Sequence, residues 1–159
     1  MKFEIKIQIR WADADPNQHV RHSAYYDYGA HARIRFFQQH GFRAKKLNDL
    51  NIGPIIFKEE CSFIKELHSD DEIKVNILKG EVSEDGSRWV LHHEIFNQKN
   101  IKCAQISTQG AWIDLTKRKL SNPPLQIAKA LMSLPVGDYY LYRKSSNKTN
   151  TVKKEHLDG

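Results

Sequence analysis

Residues 23–40 read SAYYDYGAHARIRFFQQH. Ser23 is a favoured N-cap type and Gly41 a favoured residue just past a helix end, so a helix is predicted from near Ser23 to about His40. Tyr25, Tyr28, Gly29, Ala32 and Phe36 fall on one side at helical spacing. Tyr26, Ala30, Ile34 and Phe37 make a second apolar strip, and only Asp27, His31, Arg35 and Gln38 form a polar line. A helix apolar over most of its circumference has to be enclosed by the rest of the chain.

The flanking sequence supplies the enclosure. Residues 3–11, FEIKIQIRW, alternate with period two and predict a first strand. After Gly53-Pro54 the strand signals follow in close succession: Ile55 to Leu67, a strand that begins with Ile73, Val75 and Ile77, then Trp89 to Asn97 and Ile101 to Leu115. The breaks between them, HSDD at 68–71, EDGS at 84–87 and QKN at 98–100, are polar and rich in turn residues. Pro123-Pro124 opens a short last helix with Leu125, Ile127, Ala128, Leu131 and Met132. The order predicts an α+β fold, a five-stranded antiparallel sheet wrapped around one long central helix. We expect one domain over 1–142 and a basic polar tail over 143–159.

The chain has 159 residues, enough for one domain with a substantial core. No run approaches the roughly 20 apolar residues of a membrane span, and the start lacks an apolar signal-peptide core, so no membrane and a cytoplasmic location are expected. Cys61 and Cys103 lie in strand-like segments with no metal-ligand spacing, and both read as small buried apolar residues. The net charge is +6, but residues 143–159 hold five basic residues against two acidic and so carry +3 of it. With no stripe of aromatic and basic residues in the remainder, nucleic acid is not the expected partner.

Between the first strand and the helix lies WADADPNQHV, residues 11–20. Asp13 and Asp15 stand as Asp-x-Asp, and Tyr25 falls in the first helical turn. In this the sequence resembles the hot-dog-fold thioesterases of the 4-hydroxybenzoyl-CoA thioesterase type. Asp15, Asn17 and His19 also resemble the Asp/Asn/His loop of acyl-ACP thioesterases. The shared element order runs from Phe3 to about Leu134. The resemblance implies a thioester hydrolase acting on an acyl-CoA or acyl-ACP, with Asp15, Asn17 and His19 catalytic. It further implies that His22, Ser23 and Tyr25 bind substrate, that no cofactor is used, and that the chain forms a homodimer or homotetramer. Where many relatives have paired Asn, this chain has Arg21-His22; where many have a helix Glu, it has Ala30-His31. If that Glu supplies the base in a subgroup of the family, this chain must rely on the loop carboxylate; the changes equally fit a different acyl specificity or a member that binds thioesters without hydrolysing them.

The chemistry agrees with that implication. Thioester hydrolysis needs a group that activates water or attacks the carbonyl, and a positive field where the oxyanion develops. A helix start presents unpaired N–H groups and a partial positive charge. The resemblance implies that the carbonyl oxygen is received near the backbone N–H of His22 or Ser23, with Asp15 on the other side of the carbonyl carbon as general base or as nucleophile. Each residue also has a plainer reading: Asp15-Pro16 and Asn17 as turn residues, His19 as a hydrogen-bonded loop histidine, Asp13 as a loop-stabilising acceptor, Tyr25 as helix packing. Ile55 and Ile56 are candidates for the acyl pocket wall. A non-hydrolytic acyl-thioester-binding module is the alternative function, a basic nucleic-acid-associated protein the remoter one. No metal is expected: Asp27 and His31 read as a surface pair, and His92-His93 point to opposite faces of their strand.

Overall fold

The computed structural model describes residues 2–137. The end of the domain expected at 142 and the basic tail lie outside them. Strand β1 (Phe3–Gln8) leads into helix α1 (His22–Gln39) and a short helix α2 (Ala44–Asp49). Then come β2 (Ile52–Phe63), β3 (Glu72–Val82), β4 (Arg88–Phe96), β5 (Lys102–Asp114) and helix α3 (Leu125–Met132). The strands form one antiparallel sheet in the order β1-β3-β4-β5-β2, with β1 and β2 at its edges. Among the described residues no helix is long and apolar enough to cross a membrane.

Period-two alternation sets which side of each strand meets α1. Trp89, Leu91, His93 and Ile95 of β4 are buried. They pair in register with Gly110, Thr108, Ile106 and Ala104 of β5, and Ile73, Val75 and Ile77 extend the buried set across β3. The helix lays Ala24, Tyr25, Tyr28, Gly29, Ala32, Phe36 and Phe37 into this core. Phe36 meets Phe3 edge-on at 5.4 Å, and Phe37 meets the fully buried Trp112 at 5.3 Å. At the crossing, a Cβ on Gly29 would come within 3.2 Å of His93 and Ile106, so the glycine sets how closely helix and sheet approach.

The expected wide enclosure of α1 is narrower than its two apolar strips suggested. The first strip is buried throughout, whereas Ile34 is exposed and Tyr26 and Ala30 half-buried. The predicted first strand also ends early. The Asp13 carboxylate accepts the Arg10 backbone N–H at 3.3 Å and turns Trp11–Asp13 into a single 3-10 turn, leaving Trp11 83% exposed. The helix begins one residue before Ser23, with Arg21 as N-cap. Arg21 holds that extended position by donating to the Ala12 carbonyl and, at 3.1 Å, to Ser23 Oγ, so the serine hydroxyl is a side-chain acceptor and not the cap. Helix α2 was not anticipated; a single turn anchored by buried Leu47 has too few residues to show periodicity.

The 84–87 turn forms as expected, with Gly86 at φ 71°. Asp85 accepts from the Ser87 hydroxyl and backbone N–H and from the Ser83 hydroxyl, bonds that hold its carboxyl down at about 2. Cys103 is buried as expected, while Cys61 on edge strand β2 is only half-buried; both are free thiols. After α3 the chain runs beside β3 beyond the end of β1, the Lys79 and Gly137 N–H groups donating to Pro135 and Lys79 carbonyls.

Candidate active site

The loop before α1 is a compact hydrogen-bonded unit. The Asp15 N–H donates to the His19 carbonyl at 2.7 Å and the Gln18 N–H to the Asp15 carbonyl at 3.0 Å, with Gln18 at φ 64° closing the turn. Asp15 is half-buried, and its Oδ1 accepts the Asn17 N–H at 2.8 Å and the His19 N–H at 3.1 Å. Both bonds fall on one oxygen; among the described residues Oδ2 accepts none. Asp15, Asn17 and His19 therefore share one turn, but through backbone groups. The Asn17 side chain is exposed. The His19 ring turns from Asp15 toward Glu66, with Nε2 3.4 Å from Oε2, and toward the His68 ring at 5.0 Å.

His22 and Ser23 are the first two residues of α1 and exposed. Among the described residues neither backbone N–H has an acceptor, as expected of a helix start. The Arg21 guanidinium adds positive charge beside them. Tyr25 is buried against Phe63 (5.0 Å, edge-on) and Tyr28. Burial, then the neighbouring Cys103 and Cys61, pushes its hydroxyl up to about 12, so it stays protonated. Ile55 on β2 is half-buried and Ile56 49% exposed.

Asp13 is fully buried and anchors the loop from below. It accepts from Arg10 Nη2 at 2.7 Å, Arg10 Nε at 3.2 Å and the Tyr28 hydroxyl at 3.0 Å. Burial raises its pKa, but these bonds outweigh burial and hold the carboxyl below its ordinary value of 3.8. Folding then favours the carboxylate: its contribution is complete above that value and is lost as pH falls through the lower folded one. Asp13→Asn is expected to cost about 2 kcal/mol at neutral pH, mostly through the buried Tyr28 hydroxyl because Arg10 is exposed and screened. Its unfolding curve should also be flatter than the parent's below pH 4; parallel curves there would refute the assignment.

A cleft of about 480 Å³ lies against Asp13 and Tyr28, lined also by Ile7, Gln8, Arg10, Asp27 and His31. Asp27 and His31 were expected to pair, yet no ion pair or hydrogen bond joins them. Both are exposed, and water solvates each at no cost. His92 and His93 do point to opposite faces, and both are buried. Residue patterning gave no sign of the polar group beneath α1. Arg33 donates to His93 Nε2 and Thr108 Oγ1, both at 3.0 Å, and to Glu59 Oε1 at 3.2 Å. Arg33 falls between the two apolar strips of α1, i+4 from Gly29 and i−4 from Phe37, so its charge is carried into the enclosed side of the helix.

Comparison with known proteins identifies the family. Residues 9–131 match the model of the thioesterase-like superfamily. The chain belongs to that superfamily. A protein of Aquifex aeolicus provisionally named an esterase is 28% identical to this superfamily member over 83 residues, 52% of the chain. The chain spans 65% of that relative's length in the matched region. Among solved structures, a Staphylococcus aureus protein in complex with CoA superposes with TM-score 0.78 at 16% identity, covering 86% of this chain and 88% of that one. A 1,4-dihydroxy-2-naphthoyl-CoA thioesterase from Synechocystis gives 0.75 at 18% identity over 84% and 98%. At these identities the structures speak for the fold, and the fold of this thioesterase-like protein is the α+β hot dog.

Proposed function

We propose that this protein hydrolyses an acyl-CoA thioester to a free acid and coenzyme A, with Asp15 as the reacting carboxylate. The observation that carries the reading is a half-buried carboxylate with one oxygen uncommitted, in the loop that leads into a helix start whose His22 and Ser23 N–H groups have no acceptor among the described residues. Those N–H groups and Arg21 supply the positive field for the carbonyl oxygen. As general base, Asp15 takes a proton from water, hydroxide adds to the carbonyl carbon, and collapse expels the thiolate, which recovers the proton. As nucleophile, Asp15 displaces the thiolate to give a mixed anhydride that water then opens. Asn17 orients water or substrate, His19 assists proton transfer and Tyr25 bounds the acyl group. The 4-hydroxybenzoyl-CoA type and the acyl-ACP-like loop remain our reading of the residues. CoA is the favoured carrier because, of the solved structures that share the fold, the Staphylococcus aureus one holds CoA and the Synechocystis one is named a CoA thioesterase.

The test is thiol release from a panel of acyl thioesters on CoA and on carrier protein. Cleavage of CoA substrates is the expected result. Tight binding without release would favour the non-hydrolytic thioester-binding module, and hydroxylamine trapping would reveal a mixed anhydride.

We infer a dimer or larger assembly built along β2. That edge strand exposes Ile56, Phe57 and Phe63, and Ile64 follows it, each at about half of its full area. An unpaired apolar edge invites strand addition by a second copy. Sedimentation should return at least twice the 18.5 kDa chain mass, and replacing Phe57 with Lys should shift it toward one; a monomeric parent refutes the inference.

A further inference from the structure

We propose that His19, Glu66 and His68 form a binding site for a divalent d-block cation of the zinc class. Each offers one ligand atom, and the three atoms lie within 4.8 Å of one another. Two imidazoles and a carboxylate are a donor set suited to zinc, which leaves a fourth position to water. Tetrahedral ligands at zinc distances stand about 3.4 Å apart. His19 Nε2 and Glu66 Oε2 are already at 3.4 Å, and a small rotation of the exposed His68 side chain closes the third side.

The backbone holds the two segments together. His19 and His68 form an antiparallel bridge, and the Val20 N–H donates to the Leu67 carbonyl at 2.8 Å. The ligands are thus set by main-chain pairing between the loop and the β2–β3 connection, and less by chance meeting of long side chains. Asp71 supports the site from outside. Its Oδ2 accepts the His68 N–H at 2.8 Å and lies 3.7 Å from His68 Nδ1, and its Oδ1 receives the Gln98 amide at 2.9 Å. Closing that 3.7 Å gap to hydrogen-bond distance would orient the imidazole with Nε2 toward the cation, the usual support for a metal-bound histidine.

The bound cation would clamp the loop that carries Asp15, because the His19 backbone is hydrogen-bonded to Asp15 on both sides. It would also engage the His19 ring. The site does not depend on the hydrolytic reading, and its test reads metal binding alone.

Full-length protein is titrated with Zn²⁺ against a chromophoric chelator, and cobalt is used to report coordination geometry. One equivalent should bind with tetrahedral cobalt absorption and raise the melting midpoint, while Mg²⁺ at the same concentration should not. His68→Ala and Glu66→Gln should each weaken binding at least tenfold, and Asp71→Asn by about 10- to 100-fold. Glu66 and His68 side chains are 69% and 54% exposed, so these replacements leave the core intact. Absence of saturable one-equivalent binding in the micromolar range overturns the proposal. So does zinc affinity equal to the parent's in both His68→Ala and Glu66→Gln, which would put the cation elsewhere on the chain.

Discussion

Asp15→Asn is expected to reduce thiol release from acyl-CoA substrates by about 10²- to 10⁴-fold, the range for loss of a positioned acid–base group. The amide is the informative replacement because Asp15 has two jobs on two oxygens. Oδ1 accepts the Asn17 and His19 N–H groups, and an asparagine oxygen can accept both in the same place. The turn, the helix start and the melting midpoint should therefore stay close to the parent's while the reacting oxygen is lost. Asp15→Ala removes both jobs, so it should lose activity and also about 1–2 kcal/mol of stability. If the asparagine variant keeps most of the activity and the alanine variant loses it through instability, Asp15 is a turn residue only. The reacting carboxylate would then have to be sought elsewhere, beginning with the cleft beside Asp13 and Asp27.

The architecture was legible because it rests on patterns that survive averaging. Alternation at Ile73, Val75 and Ile77 marked the buried side of β3, and the spacing of Tyr25, Tyr28, Ala32 and Phe36 marked the helix side that meets it, whereas β5 is buried at nearly every residue and was marked by its length and bounding turns. Sequence reading did less well where one hydrogen bond overrides a local preference. The Asp13 carboxylate cut the first strand short at Gln8, and the Arg21 guanidinium displaced Ser23 from the cap. The candidate loop could be picked out because its residues are close in the chain. Glu66 and His68 could not be joined to His19, since their partnership follows from which strands pair across 47 residues of chain. Arg33 was invisible for a related reason: a charge can be buried where Glu59, Thr108 and His93 converge on it, and no periodicity announces that convergence.

That buried group also governs the expected acid response of the fold. His93 is fully enclosed, and its Nδ1 donates to the Asn76 carbonyl at 2.9 Å, which leaves Nε2 as the acceptor for Arg33. A proton on Nε2 would remove that acceptor and set a second cation against a guanidinium away from water. Burial first, and Arg33 next, push its pKa from 6.5 down to about 3. The unfolded chain therefore binds a proton between those limits that the folded chain refuses. Stability is complete above pH 6.5 and falls as pH drops below it, by about 1.4 kcal/mol per pH unit from this one group. Asp13 acts in a different window, below its ordinary 3.8, so the two are separable along the pH axis. His93→Gln offers a donor and an acceptor but takes up no proton. It should start less stable than the parent at pH 7.5, by about 1–3 kcal/mol for imperfect satisfaction of buried partners. Between pH 6.5 and 4.5 the parent should lose about 2–3 kcal/mol that the variant does not. Urea unfolding at half-unit pH steps measures both slopes, and identical slopes would mean that His93 is protonated without resistance in the folded protein.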